Sequence, residues 1–169
     1  KLSLMKTYDY VDADGTLLFQ KLRYVDEFSK KTFRQRKPDG NGGWEYSLGS
    51  TPKVLYNLPN VLAAKSRETR IFVVEGEKDA DALIEKGAVA TTMPGGAGKW
   101  LPIHTEALAG GSIDVIADND EVGLEHARVV IAELRKAGCD VRGWRSSTGK
   151  DIYDLLQSGG TFKDLLTLD

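Results

Sequence analysis

The second half of the chain alternates short apolar runs with stretches of helical periodicity. The apolar runs, each typical of a buried strand, cover residues 71–74, 89–92, 113–117 and 141–144. Apolar side chains recur at helical spacing after the first run, as far as Gly87, and after the third, as far as Gly138. This alternation predicts βαβ units with a parallel sheet and right-handed crossovers. Two short helices, broken by Gly159 and Gly160, are expected within residues 151–168.

The first part of the chain has the shorter pattern of antiparallel strands. Residues 17–25 are rich in β-formers, and the pair Asp14-Gly15 before them is typical of a hairpin turn. A helix is expected within residues 54–65, with Pro59 near its start. The fold class predicted is α/β, with a parallel sheet flanked by helices after a small β-rich subdomain. The expected domains are a small β-rich, basic subdomain over 1–68 and an α/β domain over 69–169.

Composition excludes several classes of protein. The chain has 169 residues, of which 41% are hydrophobic, so it is long enough for one good core. Its single cysteine, Cys139, permits neither a disulfide framework nor a cysteine-built zinc site within this chain. No apolar run approaches the length of a membrane span, and the N-terminus lacks a secretory pattern. We therefore expect a soluble, cytoplasmic protein that does not contact membranes.

The net charge of −2 conceals an uneven distribution of charge along the chain. Between Lys21 and Lys37 there are seven basic and two acidic side chains. Carboxylates, by contrast, predominate from Glu75 to Glu125. A basic arm beside an acidic pocket is typical of a protein that handles a polyanion with metal ions.

Acidic residues follow two of the predicted strands at the point where each strand ends. Glu75 follows residues 71–74, and Asp118 and Asp120 follow residues 113–117. Because the carboxyl ends of parallel strands meet at one edge of a sheet, these like charges would repel unless a cation lies between them. Hard divalent ions with oxygen ligands, Mg²⁺ or Mn²⁺, suit such a site. The alternative is that the acids cap the helices that follow.

The residues around these acids resemble the two motifs of the Toprim superfamily. The first is Val-Val-Glu-Gly-Glu-Lys-Asp-Ala at 73–80, and the second is Ile-Ala-Asp-Asn-Asp at 116–120, followed by Gly123. The resemblance implies that Glu75 assists proton transfer or binds metal, and that Asp118 and Asp120 bind Mg²⁺. Asp79 matches the second acid of the primase form of the first motif. Its alternative role is that of an acid favoured by the helix dipole.

Further phosphate and metal contacts are implied by the same resemblance. Lys150 and Asp151 resemble the third acidic motif of mobile-element primases, with Asp151 as a third metal ligand. Lys150 and Lys78 are expected to contact triphosphate oxygens. The glycine-rich loop that contains Lys99 is not a P-loop, because Trp100 stands where Ser or Thr is required, but it is a candidate for phosphate contact.

The N-terminal half resembles the module that precedes the Toprim domain in DnaG-type primases. The resemblance is carried by Phe-Arg-Gln-Arg-Lys-Pro at 33–38 and Thr-Pro-Lys-Val-Leu-Tyr-Asn-Leu at 51–58. It implies that Arg34, Arg36 and Lys53 bind phosphate and lead a template toward the metal site. The alternative is an exposed hairpin with solvated charges.

The resemblance as a whole implies a DNA primase catalytic core, a nucleotidyltransferase. Its substrates would be ribonucleoside triphosphates and a single-stranded DNA template, with Mg²⁺ or Mn²⁺ as cofactor. A zinc-binding module and a replicative helicase are expected as partners, in a longer chain or in trans, because this chain lacks a zinc site of its own. The alternatives are a metal-dependent Toprim nuclease and a non-catalytic module that binds single strands.

Overall fold

A computed structural model describes residues 1–168. Its N-terminal part is an antiparallel sheet of four strands in the order β1-β2-β3-β4. The strands are β1 Ser3–Val11, β2 Leu17–Val25, β3 Lys31–Pro38 and β4 Trp44–Glu45. The hairpin expected at Asp14-Gly15 is present, and Gly15 adopts a φ of 86°, which few other residues tolerate.

The remainder of the described chain is a five-stranded sheet with helices. In chain order the elements are α1 Leu58–Ser66, β5 Ile71–Val73, α2 Glu77–Glu85, β6 Ala90–Thr91, α3 Pro102–Leu108, β7 Ser112–Ala117, α4 Glu121–Lys136, β8 Asp140–Ser146, α5 Ile152–Gln157 and β9 Leu165–Thr167. The strand order is β6-β5-β7-β8-β9, and all neighbours except β8 and β9 are parallel. The predicted fold class is confirmed. No helix within residues 1–168 is long and apolar enough to span a membrane.

Two elements differ from the sequence expectation. The helix α3 was not predicted, because it is short and directly follows a glycine-rich loop. Of the two helices expected within residues 151–168, the first is α5, and the second is only a 3₁₀ turn over Phe162–Asp164. The chain then forms β9, which pairs antiparallel with β8 and so satisfies the backbone of an otherwise open sheet edge.

One apolar core joins the two sheets. Tyr10 and Phe19 of the N-terminal sheet belong to the same cluster of buried side chains as Val61, Ile71 and Val115. The rings of Tyr10 and Phe19 are stacked, with their centroids 4.6 Å apart. The core is therefore continuous across the predicted domain boundary at residue 68. That boundary stays a prediction. This packing fixes the N-terminal sheet beside the carboxyl edge of the second sheet.

Candidate metal centre and nucleic-acid cleft

Three carboxylates meet at the carboxyl edge of the parallel sheet. Asp118 directly follows β7, Asp79 lies in the first turn of α2, and Asp151 is the N-cap of α5. One oxygen from each lies within 4.8 Å of the others. These three acids are at least 33 residues apart in the sequence and belong to different elements. The parallel topology brings them together.

The helix α5 closes one side of this triad. Asp151 accepts a hydrogen bond from the Asp154 backbone N–H at 2.9 Å, which caps the helix. The backbone N–H of Tyr153 donates to Oδ1 of Asp79 at 3.2 Å. The first turn of α5 therefore orients two of the three acids.

Burial and the repulsion of neighbouring carboxylates raise the pKa values of Asp118, Asp79 and Glu75. Burial, with the negative charge of Glu75 beside it, raises the pKa of Asp118 to about 8. Burial, with the charge of Asp151, raises the pKa of Asp79 to about 7. The pKa of Glu75 is also raised, chiefly by burial. A divalent cation would relieve this repulsion.

The donor set fits such a cation. Oε2 of Glu75 is buried and has no hydrogen-bond partner among residues 1–168. Buried carboxylate oxygens without a partner are rare, because their desolvation is uncompensated. The triad offers only carboxylate oxygens, the ligands that Mg²⁺ and Mn²⁺ prefer, and the free oxygen of Glu75 belongs to the same cleft.

Asp120 lies beside the triad rather than within it. It is the N-cap of α4, and its Oδ1 accepts from the Gly123 backbone N–H at 2.6 Å. Its Oδ2 lies 3.7 Å from Nζ of Lys150. Asp120 therefore has the capping role that was the alternative in the sequence, and one of its oxygens remains directed toward a cationic group at the site.

Gly123 is required by the closeness of α4 to Asp118. A Cβ at this position would lie 2.8 Å from Cβ of Asp118 and 2.9 Å from its backbone oxygen. Distances this short are not found in real proteins, so any side chain here would displace the acid or the helix. This explains why a glycine stands three residues after Asp120.

Asn119 fixes the loop that carries Lys150 and Asp151. Its side-chain amide donates to the carbonyl oxygens of Ser146 and Gly149, each at 2.9 Å. Its backbone N–H donates to the carbonyl of Lys150 at 2.6 Å. The residue between the two aspartates of the second motif therefore positions the third motif.

A cleft separates the acids from a basic wall formed by the N-terminal sheet. Its cavity volume is about 240 Å³. The acidic side carries Glu75 and the triad, together with Lys78 and Lys150, and the ammonium of Lys78 lies 3.7 Å from the centroid of the Tyr153 ring. The opposite wall is lined by four side chains of β2 and β3: Lys21, Arg23, Lys31 and Phe33.

The other basic residues singled out in the sequence lie outside this cleft. Side chains alternate along β3, so Arg34 and Arg36 project from the face opposite to Phe33. Arg34 lies 5.4 Å from the centroid of Tyr24, and Arg36 lies 3.9 Å from that of Trp44. Lys53 lines an adjacent groove, and Lys99 is exposed in the glycine-rich loop. That all four bind phosphate stays a prediction.

Sequence reasoning did not single out Arg23, Lys31, Phe33 or Asn119 as site residues. Cross-strand pairing places Arg23 opposite Phe33, on the face that lines the cleft. Strand alternation was the available signal, but both faces of β3 carry basic residues, so the pattern alone could not say which face met the acids.

Sequence comparison with known proteins shows which family the chain belongs to. The Gene 57 protein of Mycobacterium phage D29 is 33% identical over 125 residues, which cover 69% of this chain and 79% of the phage protein. The chain belongs to the family of this phage protein. No protein-family model matches the sequence.

Solved structures define the fold of this family member. The E. coli primase catalytic core superposes with a TM-score of 0.68 at 19% identity, covering 96% of this chain and 52% of that one. A DnaG primase catalytic domain bound to single-stranded DNA gives a TM-score of 0.69 at 19% identity, covering 96% and 53%. The chain thus spans about half the length of these primase chains. The chain therefore has the fold of these primase catalytic cores, as the sequence resemblance implied.

Proposed function

We propose that the chain is the catalytic core of a DNA primase, which joins ribonucleotides into short primers on a single-stranded DNA template. The observation that supports this most directly is the cleft in which Glu75 and the Asp79, Asp118 and Asp151 triad face a basic wall. Nucleotidyl transfer requires both halves, because the acids hold metal ions and the basic wall attracts phosphates. The likeness to primase catalytic cores supports the same proposal.

In the proposed reaction, the 3′-oxygen of one nucleotide forms a bond to the α-phosphorus of the next, and pyrophosphate leaves with the bonding electrons. Mg²⁺ or Mn²⁺ held by Asp79, Asp118 and Asp151 would lower the pKa of the attacking hydroxyl and neutralise the triphosphate. Glu75 accepts the hydroxyl proton, a role supported by its raised pKa and its free Oε2.

The remaining side chains of the cleft bind and orient the substrates. Lys78 and Lys150 contact the triphosphate oxygens, since flexible ammonium groups suit that task. Asp120, whose Oδ2 is close to Lys150, contributes to binding a second ion. Arg23 and Lys31 contact the template backbone from the opposite wall. We propose that a zinc-binding module and a replicative helicase act with this core, in a longer chain or as separate proteins.

The test is primer synthesis by the purified chain on mixed-sequence single-stranded DNA with four ribonucleotides and Mg²⁺ or Mn²⁺. Asp118→Asn is the variant, and Asp14→Asn, an exposed hairpin aspartate, is the matched control. We expect short products from the wild type and the control and none from Asp118→Asn. Shortened template without products would contradict the proposal and indicate a nuclease. Single-strand binding without either reaction would indicate a non-catalytic module.

A further inference from the structure

A second groove continues the metal cleft along the N-terminal sheet. Its cavity volume is about 700 Å³. One wall carries Phe33 and Tyr46, and the other carries Lys53 and the glycine-rich loop. Lys21, Phe33 and Gly96 line both the groove and the metal cleft, so the two form one path.

Two aromatic rings are exposed in this groove. Phe33 is 47% exposed and Tyr46 is 59% exposed. The ammonium of Lys21 lies 4.7 Å from the centroid of the Phe33 ring, which covers part of that ring and leaves the rest open to the groove. Exposed apolar rings of this size are unfavourable in water, so a pair of them in one groove indicates a ligand with flat apolar faces.

The other exposed aromatic side chains have different surroundings. Trp44 packs against Arg36, and Phe162 stacks on Phe72 with a centroid distance of 5.4 Å. Phe28 is 83% exposed, but it stands at the tip of the β2–β3 hairpin and lines neither groove nor cleft. Within residues 1–168, Phe33 and Tyr46 are thus the exposed rings on the path to the acids.

The charge of the groove suits a polyanion. Within the described chain, the residues that line the groove include Lys21 and Lys53 but no carboxylate. Glu77 neutralises Lys21, so Lys53 is the cation that can meet a phosphate in the groove, and Arg23 and Lys31 extend the basic wall into the metal cleft. Flat apolar rings beside cations are the combination that binds single-stranded nucleic acid.

We infer that Phe33 and Tyr46 are positioning residues that stack unpaired nucleobases, while the neighbouring cations hold the phosphates. The inference rests on the proposed function for the identity of the polyanion, and it names the chemical class recognised, an unpaired base. The base belongs either to the template strand or to a ribonucleotide, and the two sources share the same stacking chemistry.

Binding measurements test the inference without requiring catalysis. Fluorescence anisotropy of a labelled mixed-sequence oligodeoxynucleotide is recorded at several salt concentrations for the wild type, Phe33→Ala, Phe33→Trp and Tyr46→Ala, with Phe28→Ala as the matched control. We expect Phe33→Ala and Tyr46→Ala each to weaken binding about tenfold, because each variant loses one contact that stacks on a base. Phe33→Trp should keep the affinity, and Phe28→Ala should not change it.

The salt dependence separates stacking from charge. Because the ring carries no charge, Phe33→Ala should leave the slope of log affinity against log salt unchanged. Lys53→Gln should reduce that slope by about 0.7, the value for one phosphate contact to a single strand. If Phe33→Ala weakens binding and also changes the slope, the loss involves charge contacts, and this result would contradict stacking.

Equilibrium dialysis with ATP distinguishes the two sources of the base. A loss of oligonucleotide binding assigns the base to the template, and a loss of ATP binding assigns it to the nucleotide. Affinities within twofold of the wild type for both ligands in Phe33→Ala and Tyr46→Ala would overturn the inference. If binding depends on the rings but no primers form, the inference stands and the proposed function fails. If primers form and binding does not depend on the rings, the proposed function stands and the inference fails.

Discussion

Nζ of Lys21 lies 3.1 Å from each carboxylate oxygen of Glu77. Both side chains are buried, and the hydroxyl of Tyr10 donates a further hydrogen bond to Glu77 at 2.9 Å. Glu77 stands between Glu75 and Asp79 in the chain, at the start of α2. This ion pair therefore joins the N-terminal sheet to the segment that carries two of the proposed catalytic acids.

Removing one partner of this pair should destabilise the protein. In Lys21→Met the carboxylate of Glu77 stays buried without its cation, which typically costs about 3–5 kcal/mol. Lys21→Met with Glu77→Gln should recover part of this loss, because the uncompensated charge is removed. Urea denaturation of the single and double variants measures both effects. If the loss of stability in the double variant equals the sum of the losses in the two single variants, the two residues are not coupled.

The acids should make the stability of the metal-free protein fall as pH rises. Asp79 and Asp118 have folded-state pKa values of about 7 and about 8, above their ordinary value of 3.8. The folded state thus binds protons more tightly than the unfolded state, so the stabilisation is fully present below the ordinary pKa of 3.8. It is lost progressively as pH rises from there through the folded-state values of about 7 and about 8. Thermal denaturation in EDTA between pH 5 and 8.5 measures this.

Asp118→Asn supplies the comparison, because the amide imitates the protonated acid. The melting temperature of Asp118→Asn should rise relative to that of the wild type as pH increases. Added Mg²⁺ should raise the melting temperature of the wild type more at pH 8 than at pH 6. Parallel curves for the two proteins from pH 5 to 8.5 would show that Asp118 titrates normally.

Gly123→Ala should weaken metal binding although residue 123 is not a proposed ligand. The added methyl group would lie 2.8 Å from Cβ of Asp118, so the acid or the start of α4 must move. Changes next to metal ligands typically cost about 10- to 100-fold in affinity. Titration with Mn²⁺, followed by electron paramagnetic resonance, measures the loss. Val122→Ala, on the exposed side of the same turn, should bind as the wild type does.

The two faces of the N-terminal sheet should differ in their contribution to single-strand binding. Arg23→Gln and Lys31→Gln remove cations from the cleft wall, and each should reduce the salt slope of oligonucleotide affinity by about 0.7. Arg34→Gln alters the opposite face and should have a smaller effect. If Arg34→Gln reduces the slope and Arg23→Gln does not, the strand contacts the face that carries Arg34, one of the residues that the sequence resemblance implies for phosphate binding.

Much of the fold was predictable because apolar periodicity reports directly on buried elements. The convergence of Glu75 and Asp118 follows from parallel topology, and both acids end buried strands. Asp120 was harder to place, since an aspartate at this position can cap a helix or bind metal, and the structure shows the cap. The strand β9 was missed because three residues at a sheet edge carry too little periodicity to be distinguished from a turn.

The basic wall was less predictable than the acids. Lys21 looks like one more charge of a basic arm, yet it is buried against Glu77, a pairing 56 residues apart in the sequence. Arg34 and Arg36 are conspicuous in the sequence, but their direction depends on which face of β3 packs toward the second sheet. That choice is made by long-range packing of Tyr10 and Phe19, which local patterns do not report.

In the proposed function, Asp79, Asp118 and Asp151 together hold a divalent cation. The decisive measurement is Mn²⁺ binding by electron paramagnetic resonance to the full chain, in the wild type, the three single Asp→Asn variants and Asp14→Asn. We expect the wild type and Asp14→Asn to bind Mn²⁺, and each triad variant to lose most of that affinity while it remains folded. Undiminished Mn²⁺ binding in all three triad variants would show that the triad is not the metal site.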